Sequence, residues 1–167
     1  MTRRLLLPLL VASAALFPAP AQASVCPLGE RVRPLTVTTF CLVNEARARH
    51  GAPPLRPDRL LALAARRHSR EMVARGYFSH TSPRGLSSRA RIERSGWMAG
   101  RSRWTIGETL AWHAGSPDPR EIVRRWLASP PHRHVLLNRR FRVAGIGVAA
   151  GTPRSTRGTT YTADFGT

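Results

Sequence analysis

The chain has 167 residues and carries 27 basic residues, all of them arginine, against 9 acids, for a formal net charge of +18. That length bounds it to one domain, with no internal repeat and no low-complexity tail, and no apolar run reaches the roughly 20 residues of a membrane span. The arginines are dispersed, no nucleic-acid-binding motif is present, and a GC-rich genome alone would favour arginine over lysine; the charge therefore describes a surface drawn to anionic polymers, not a specific nucleic-acid function.

The first residues read as an export signal. Thr2-Arg3-Arg4 is a basic start, Leu5 to Phe17 an apolar core, and Ala21-Gln22-Ala23 a small-residue cleavage site. Ala23-Ser24-Val25 before Cys26 is a poor lipid-attachment context, so the expected product is a soluble secreted chain beginning at Ser24. The expected organisation is a signal peptide over 1–23, an N-terminal arm over 24–37 and a single domain over 38–167. Cleavage leaves 25 arginines against 9 acids. Cys26 and Cys41 form an even pair in an exported chain, which favours a disulfide over a metal or catalytic role, with two free buried thiols as the alternative. On the chain-entropy model such a bridge is worth about 3 kcal/mol.

Helical spacing begins at Thr38 or Thr39 with Cys41, Leu42, Glu45, Ala46 and Arg49, and stops at Gly51 before Pro53-Pro54. Leu55-Arg56-Pro57 is a connector. Asp58 is an N-cap for a helix over 59–75, with Leu60, Leu61, Ala64, Ala65, His68 and Met72 on one face and Gly76 at its end. His68 on that face reads as a hydrogen-bonded core histidine. The turn-rich stretch Tyr77 to Gly85 is expected to be anchored from behind by its aromatics, and a short helix follows at about 87–94. A Gly/Arg-rich loop spans 97–104, and Ile106-Gly107-Glu108-Thr109-Leu110 places one acid among apolar residues. Asp118-Pro119-Arg120-Glu121 reads as a capping box opening a helix over 119–128. Pro130-Pro131 is expected to stop that helix and to display His132 and His134 at a stiff corner. Val143 to Ala149 is β-prone, 151–158 reads as a turn or loop, and Thr159 to Gly166 alternates as a last strand. Helices lead and strands come late, which gives an α+β class with an antiparallel sheet.

Three polar groups sit where the local chain is stiff: His80 after two aromatics, Glu108 after a glycine, and His132 after two prolines. Two imidazoles and a carboxylate can hold a divalent metal or supply a general base and its partners. His134 would share a face with His132 only if the chain there were extended; otherwise it is solvated, and His113 is expected at the surface.

In order along the chain stand Asn44-Glu45-Ala46-Arg47, Phe78-Ser79-His80-Thr81-Ser82-Pro83 with Gly85, Gly107-Glu108, Trp126…Ser129-Pro130-Pro131-His132-Arg133, Phe141…Gly145-Ile146-Gly147-Val148, and Tyr161-Thr162-Ala163-Asp164-Phe165-Gly166. Over about residues 38–166 this series resembles the CAP superfamily of cysteine-rich secretory, antigen five and pathogenesis-related proteins, in its small secreted bacterial SCP-domain branch. The resemblance implies an α-β-α sandwich with a central antiparallel sheet between helical layers. It also implies a cleft lined by a His-Glu-Glu-His tetrad, onto which His80, Glu108 and His132 map. Ser129 stands at the second acid, Pro131 where glycine is usual, and Thr109 where asparagine is usual. His80 and His132 would be the metal contacts, for zinc or another divalent cation, and Glu108 the candidate catalytic acid or base. Losing a carboxylate at Ser129 lowers the expected metal affinity.

Three functions compete. The first is a non-enzymatic extracellular binding module, a monomer, holding a lipid-like or cell-envelope ligand at the His/Glu cleft with its arginine surface drawn to anionic envelopes. The alternative is a metal-assisted, peptidase-like hydrolase using His80, Glu108 and His132, although no Gly-x-Ser-x-Gly or His-Glu-x-x-His motif accompanies them. The third is a cationic binder of anionic polymers, which rests on net charge alone.

Overall fold

A computed structural model describes residues 35–167; the expected signal peptide, most of the expected arm and Cys26, the expected partner of Cys41, lie outside the described residues. Nine elements follow in order: α1 (Leu35–Arg49), β1 (Arg56–Pro57), α2 (Arg59–Arg75), α3 (Ser88–Arg94), β2 (Ile106–His113), α4 (Pro119–Ala128), α5 (Pro130–Leu137), β3 (Val143–Thr152) and β4 (Ser155–Gly166). The four strands form one sheet in the order β1-β3-β4-β2. Its three long strands are antiparallel, and the two-residue β1 pairs parallel with β3, so the sheet is mixed at one edge. α2 packs on β3 and β4 with α3 beside it, whereas α1, α4 and α5 pack on one another and against β2 and β3. The result is an α+β sandwich of helices, sheet and helices.

Each layer follows from its sequence. α1 buries Thr39, Leu42, Val43, Ala46 and Arg47, the three-and-four spacing of one helical face. Asp58 caps α2 by accepting from the backbone N–H groups of Leu60 and Leu61, at 2.8 and 3.0 Å. Asp118 does the same for α4 through Arg120 and Glu121. Glu121 does not complete a capping box; its carboxylate pairs with Arg124 and Arg125. α2 lies unusually close to the sheet because β3 presents glycines beneath it. A Cβ on Gly145 would stand 1.9 Å from the backbone nitrogen of Ala62, and one on Gly147 2.1 Å from that of Arg66. The larger core cluster joins Leu42, Val43, Trp126, Leu136, Phe141, Tyr161 and Phe165 on the α1/α4/α5 side. The smaller one joins Leu61, Ala64, Ile92 and Trp97 under α2 and α3. No helix among the described residues is long and apolar enough to cross a membrane.

Several sequence expectations need correction. α1 begins at Leu35, upstream of Thr38. Residues 151–158 are not a loop: β3 runs on to Thr152, β4 starts at Ser155, and only Pro153-Arg154 turn between them. Pro130 and Pro131 do follow the end of α4 at Ala128, as expected, but they open a further helix: they occupy the first turn of α5, where a missing N–H costs nothing and a fixed φ favours the helix. In a helix, residues two apart face away from each other, so His134 does not share the face of His132.

Candidate functional site

β2 is the outer strand of the sheet, so the two helical layers meet the solvent across its edge. His80 comes from the α2–α3 connection and His132 from the first turn of α5, and their ring centres stand 6.4 Å apart. Glu108, near the start of β2, has only 2% of its side chain exposed, and both of its oxygens are taken. His80 Nδ1 donates to Oε1 at 2.7 Å, and Arg91 Nη2 donates to Oε2 at 2.6 Å. Arg91 is held in turn by Leu86 O at 2.8 Å. Burial raises the pKa of Glu108, but the His80 hydrogen bond and the Arg91 guanidinium outweigh it and hold the carboxyl below its ordinary range. His132 is pushed below the ordinary imidazole range by burial and then by the neighbouring His80.

A second acid lies behind this pair, where the sequence did not single one out. Strand register sets Asp164 directly across from Glu108. Asp164 is fully buried, and no N–H or O–H donor is aimed at either of its oxygens. Burial, then the Glu108 charge and a hydrogen bond to Glu108, push its pKa well above the carboxylate range, against the opposing pull of Arg91. One guanidinium cannot neutralise two carboxylates, so the proton stays on Asp164 and the charge on Glu108. In that hydrogen bond Asp164 is the donor and Glu108 the acceptor.

Beyond His132 the cleft opens into a groove of about 340 Å³, lined by Phe78, Leu110, Trp112, Trp126, Ser129 and His132, among others. Phe78 does not anchor its turn from behind as expected: it is 45% exposed on the groove wall. Tyr77 takes the anchoring role, its hydroxyl 3.4 Å from His68 Nδ1, while His68 Nε2 meets Ser79 O at 3.0 Å. His68 is thus the hydrogen-bonded core histidine that its position on the helix face implied. His113 is half-buried, with a shielded Nδ1 that has no partner, and is not a fully solvated surface residue.

The structure therefore brings His80, Glu108 and His132 together and places Ser129 on the same groove, leaving His113 and His134 outside. His80 keeps one ring nitrogen for a ligand because Glu108 takes the other, the arrangement by which a carboxylate orients a metal-binding imidazole. Around a tetrahedral zinc with Zn–N near 2.0–2.1 Å, two ring centres would lie about 5 Å apart. The observed 6.4 Å is open by about 1 Å on that standard. Among the described residues no group of three or more His, Cys, Asp or Glu side chains is arranged to hold a metal. A two-imidazole site completed by water would take His80 and His132 as its protein ligands, with the rings about 1 Å closer. A metal there would supply Lewis-acid polarisation of a bound water.

The sandwich fold, with its imidazole–carboxylate cleft at the sheet edge, defines a class, and comparison with known proteins agrees. Residues 40–165 match the CAP (cysteine-rich secretory protein) family model, and the chain belongs to that family. It is 35% identical to the uncharacterized protein YkwD of Bacillus subtilis over 106 residues, 64% of this chain and 39% of YkwD. It is likewise 35% identical to the uncharacterized membrane protein YlbC of the same organism over 107 residues, 64% of this chain and 29% of YlbC. The chain thus spans well under half the length of the curated relatives it matches. Among solved structures, an extracellular SCP-domain protein of Bacillus anthracis aligns at TM-score 0.66 and 33% identity, covering 78% of this chain and 39% of the other. An outer surface protein of Borrelia burgdorferi aligns at TM-score 0.63 and 20% identity, covering 76% and 87%, which bears on the fold alone.

Proposed function

We propose that this protein is an exported CAP-domain binding module that holds a lipid-like or cell-envelope ligand in the groove beside His80 and His132. The observation that carries this reading is the state of Glu108: buried, with both oxygens committed to His80 and Arg91. A general base needs an oxygen within reach of the proton it removes, and here neither is open. Glu108 orients an imidazole instead. The groove wall supports the same reading, since Phe78, Leu110 and Trp112 offer apolar contact and Ser129 and His132 a polar end, the usual make-up of a small-molecule site. Export through residues 1–23, a Cys26–Cys41 bridge and an extracellular location belong to this proposal. The leader pattern and the SCP-domain relative described as extracellular support export and location, and the even pair of cysteines supports the bridge.

The test is titration of residues 24–167 with cis-parinarate, a fluorescent fatty acid, read by energy transfer from the groove tryptophans. Half-exposed Phe78 should contribute enough apolar contact that Phe78→Ala weakens binding about tenfold. Binding should persist above physiological ionic strength. Binding that disappears at about 0.15 M salt and ignores Phe78→Ala would mean that charge alone was at work, and the reading would fall.

A further inference from the structure

Between Glu121 and Asp164 the sequence contains eight arginines and no acid. The fold gathers part of this stretch into a second groove, which shares no lining residue with the groove beside His132. Pro130, Arg133, His134, Leu137, Asn138, Arg139 and Arg140 line a shallow concavity of about 760 Å³ along the outer side of α5 and the turn after it. The ion pairs among the described residues use Arg49, Arg75, Arg91, Arg124 and Arg125; none uses an arginine of this groove. Its positive charge is left for an outside partner.

The turn that carries these arginines is held from within by one buried cation. Arg47 is fully buried and is in none of the ion pairs among the described residues. Its guanidinium donates to Leu136 O at 2.6 Å, Asn138 O at 3.1 Å, Phe141 O at 3.4 Å and Pro53 O at 2.9 Å. The end of a helix normally presents partial negative charge that repels anions. Arg47 takes Leu136 O, one of the last carbonyls of α5, and the carbonyl of the cap residue Asn138, so the groove at the end of α5 loses part of that repulsion. Asn138 fixes the next step by accepting from Arg140 N at 2.9 Å, and the Arg139 guanidinium is tied to Gly51 O.

From this arrangement we infer that the α5 groove binds a flexible polymer with repeating phosphates, of the phosphodiester kind found in cell envelopes. Guanidinium groups grip phosphate with paired hydrogen bonds. Proteins that hold single-stranded nucleic acid add aromatic platforms for the bases. Its lining residues include no Phe, Tyr or Trp and a single imidazole, His134, too little for successive bases to stack on, which favours a polymer without bases. The choice of an envelope polymer rests on the extracellular reading above; the groove itself does not.

The experiment measures binding of residues 24–167 to poly(glycerol phosphate) across a salt series, with single-stranded DNA of equal charge as the second probe. The groove variant is Arg133→Gln with Arg140→Gln, whose side chains make no hydrogen bond or ion pair among the described residues, so folding should be preserved. The control is Arg67→Gln with Arg70→Gln on exposed α2 positions, which removes the same charge elsewhere. The groove variant should lose about tenfold or more in affinity and flatten the log–log salt slope by about 0.7 per lost contact; the control should do neither. Equal losses in both variants would overturn the groove assignment, and tighter groove-dependent binding of DNA would overturn the choice of polymer. Phe78→Ala should leave polymer binding unchanged, so failure of the lipid reading and failure of this one are separable.

Discussion

Arg91 is the group on which the cleft's electrostatics turn, and Arg91→Met should expose this. The substitution keeps much of the side chain's bulk but removes the 2.6 Å contact to Glu108 and the 2.8 Å contact to Leu86 O. The two charged side chains are 7% and 2% exposed, so water cannot replace the lost guanidinium. Breaking a buried pair from one side costs about 3–5 kcal/mol. For a domain of this size each kcal/mol moves Tm by about 3 °C, so a fall of roughly 10–15 °C is expected at pH 7. Adding Glu108→Gln to Arg91→Met should restore most of that loss, because the stranded charge is then gone. The assay is thermal and urea unfolding of the parent, both single variants and the double variant. The cost of Arg91→Met should shrink toward pH 4, where Glu108 without its cation takes up a proton. A loss below about 1 kcal/mol at pH 7, or a double variant no more stable than Arg91→Met, would refute the reasoning.

Asp164→Asn should stabilise the fold at neutral pH. The folded-state pKa of Asp164 is raised, so its contribution is complete below the unfolded value of about 4 and declines as pH rises through that point. The variant's advantage should therefore be absent near pH 3.5 and present at pH 7 in urea denaturation; an advantage of equal size at both would refute the assignment of the proton. Ser129→Glu would restore an acid beside His132, and zinc affinity measured by calorimetry should rise about 10–100-fold. That gain should be lost again when His132→Ala is added.

Much of the fold was legible because its signals are local. Asp58 and Gly76 bracket α2, and Asp118 with Pro119 opens α4, each through groups within a turn of the helix end. The failures came where one residue type serves two purposes. Pro130-Pro131 both follow the end of α4 and open α5, and the second role shows only once α5 packs onto β2. His80, Glu108 and His132 were legible through their motifs, but Arg91 was not, since a chain with 27 arginines gives no local sign of which is buried. Asp164 became part of the site only through strand register, which sets it opposite Glu108. Gly145 and Gly147 read as β-prone spacing; their use as a seat for α2 depends on a helix far earlier in the chain, at Ala62 and Arg66.

Because His80 and His132 belong to different helical layers and meet across the edge of β2, a ligand touching both would act as a clamp between layers. Separating the layers would first require its release. Occupancy at a hundred times Kd adds about 2.7 kcal/mol to the folded state, roughly 8 °C in Tm for a domain of this size. A melting-temperature screen over envelope lipids, sugars and metal ions can therefore find the ligand without an activity assay. A compound gripping only one wall would add the same free energy at equal occupancy, so His80→Ala and His132→Ala each removing the shift would mark the compound that bridges both.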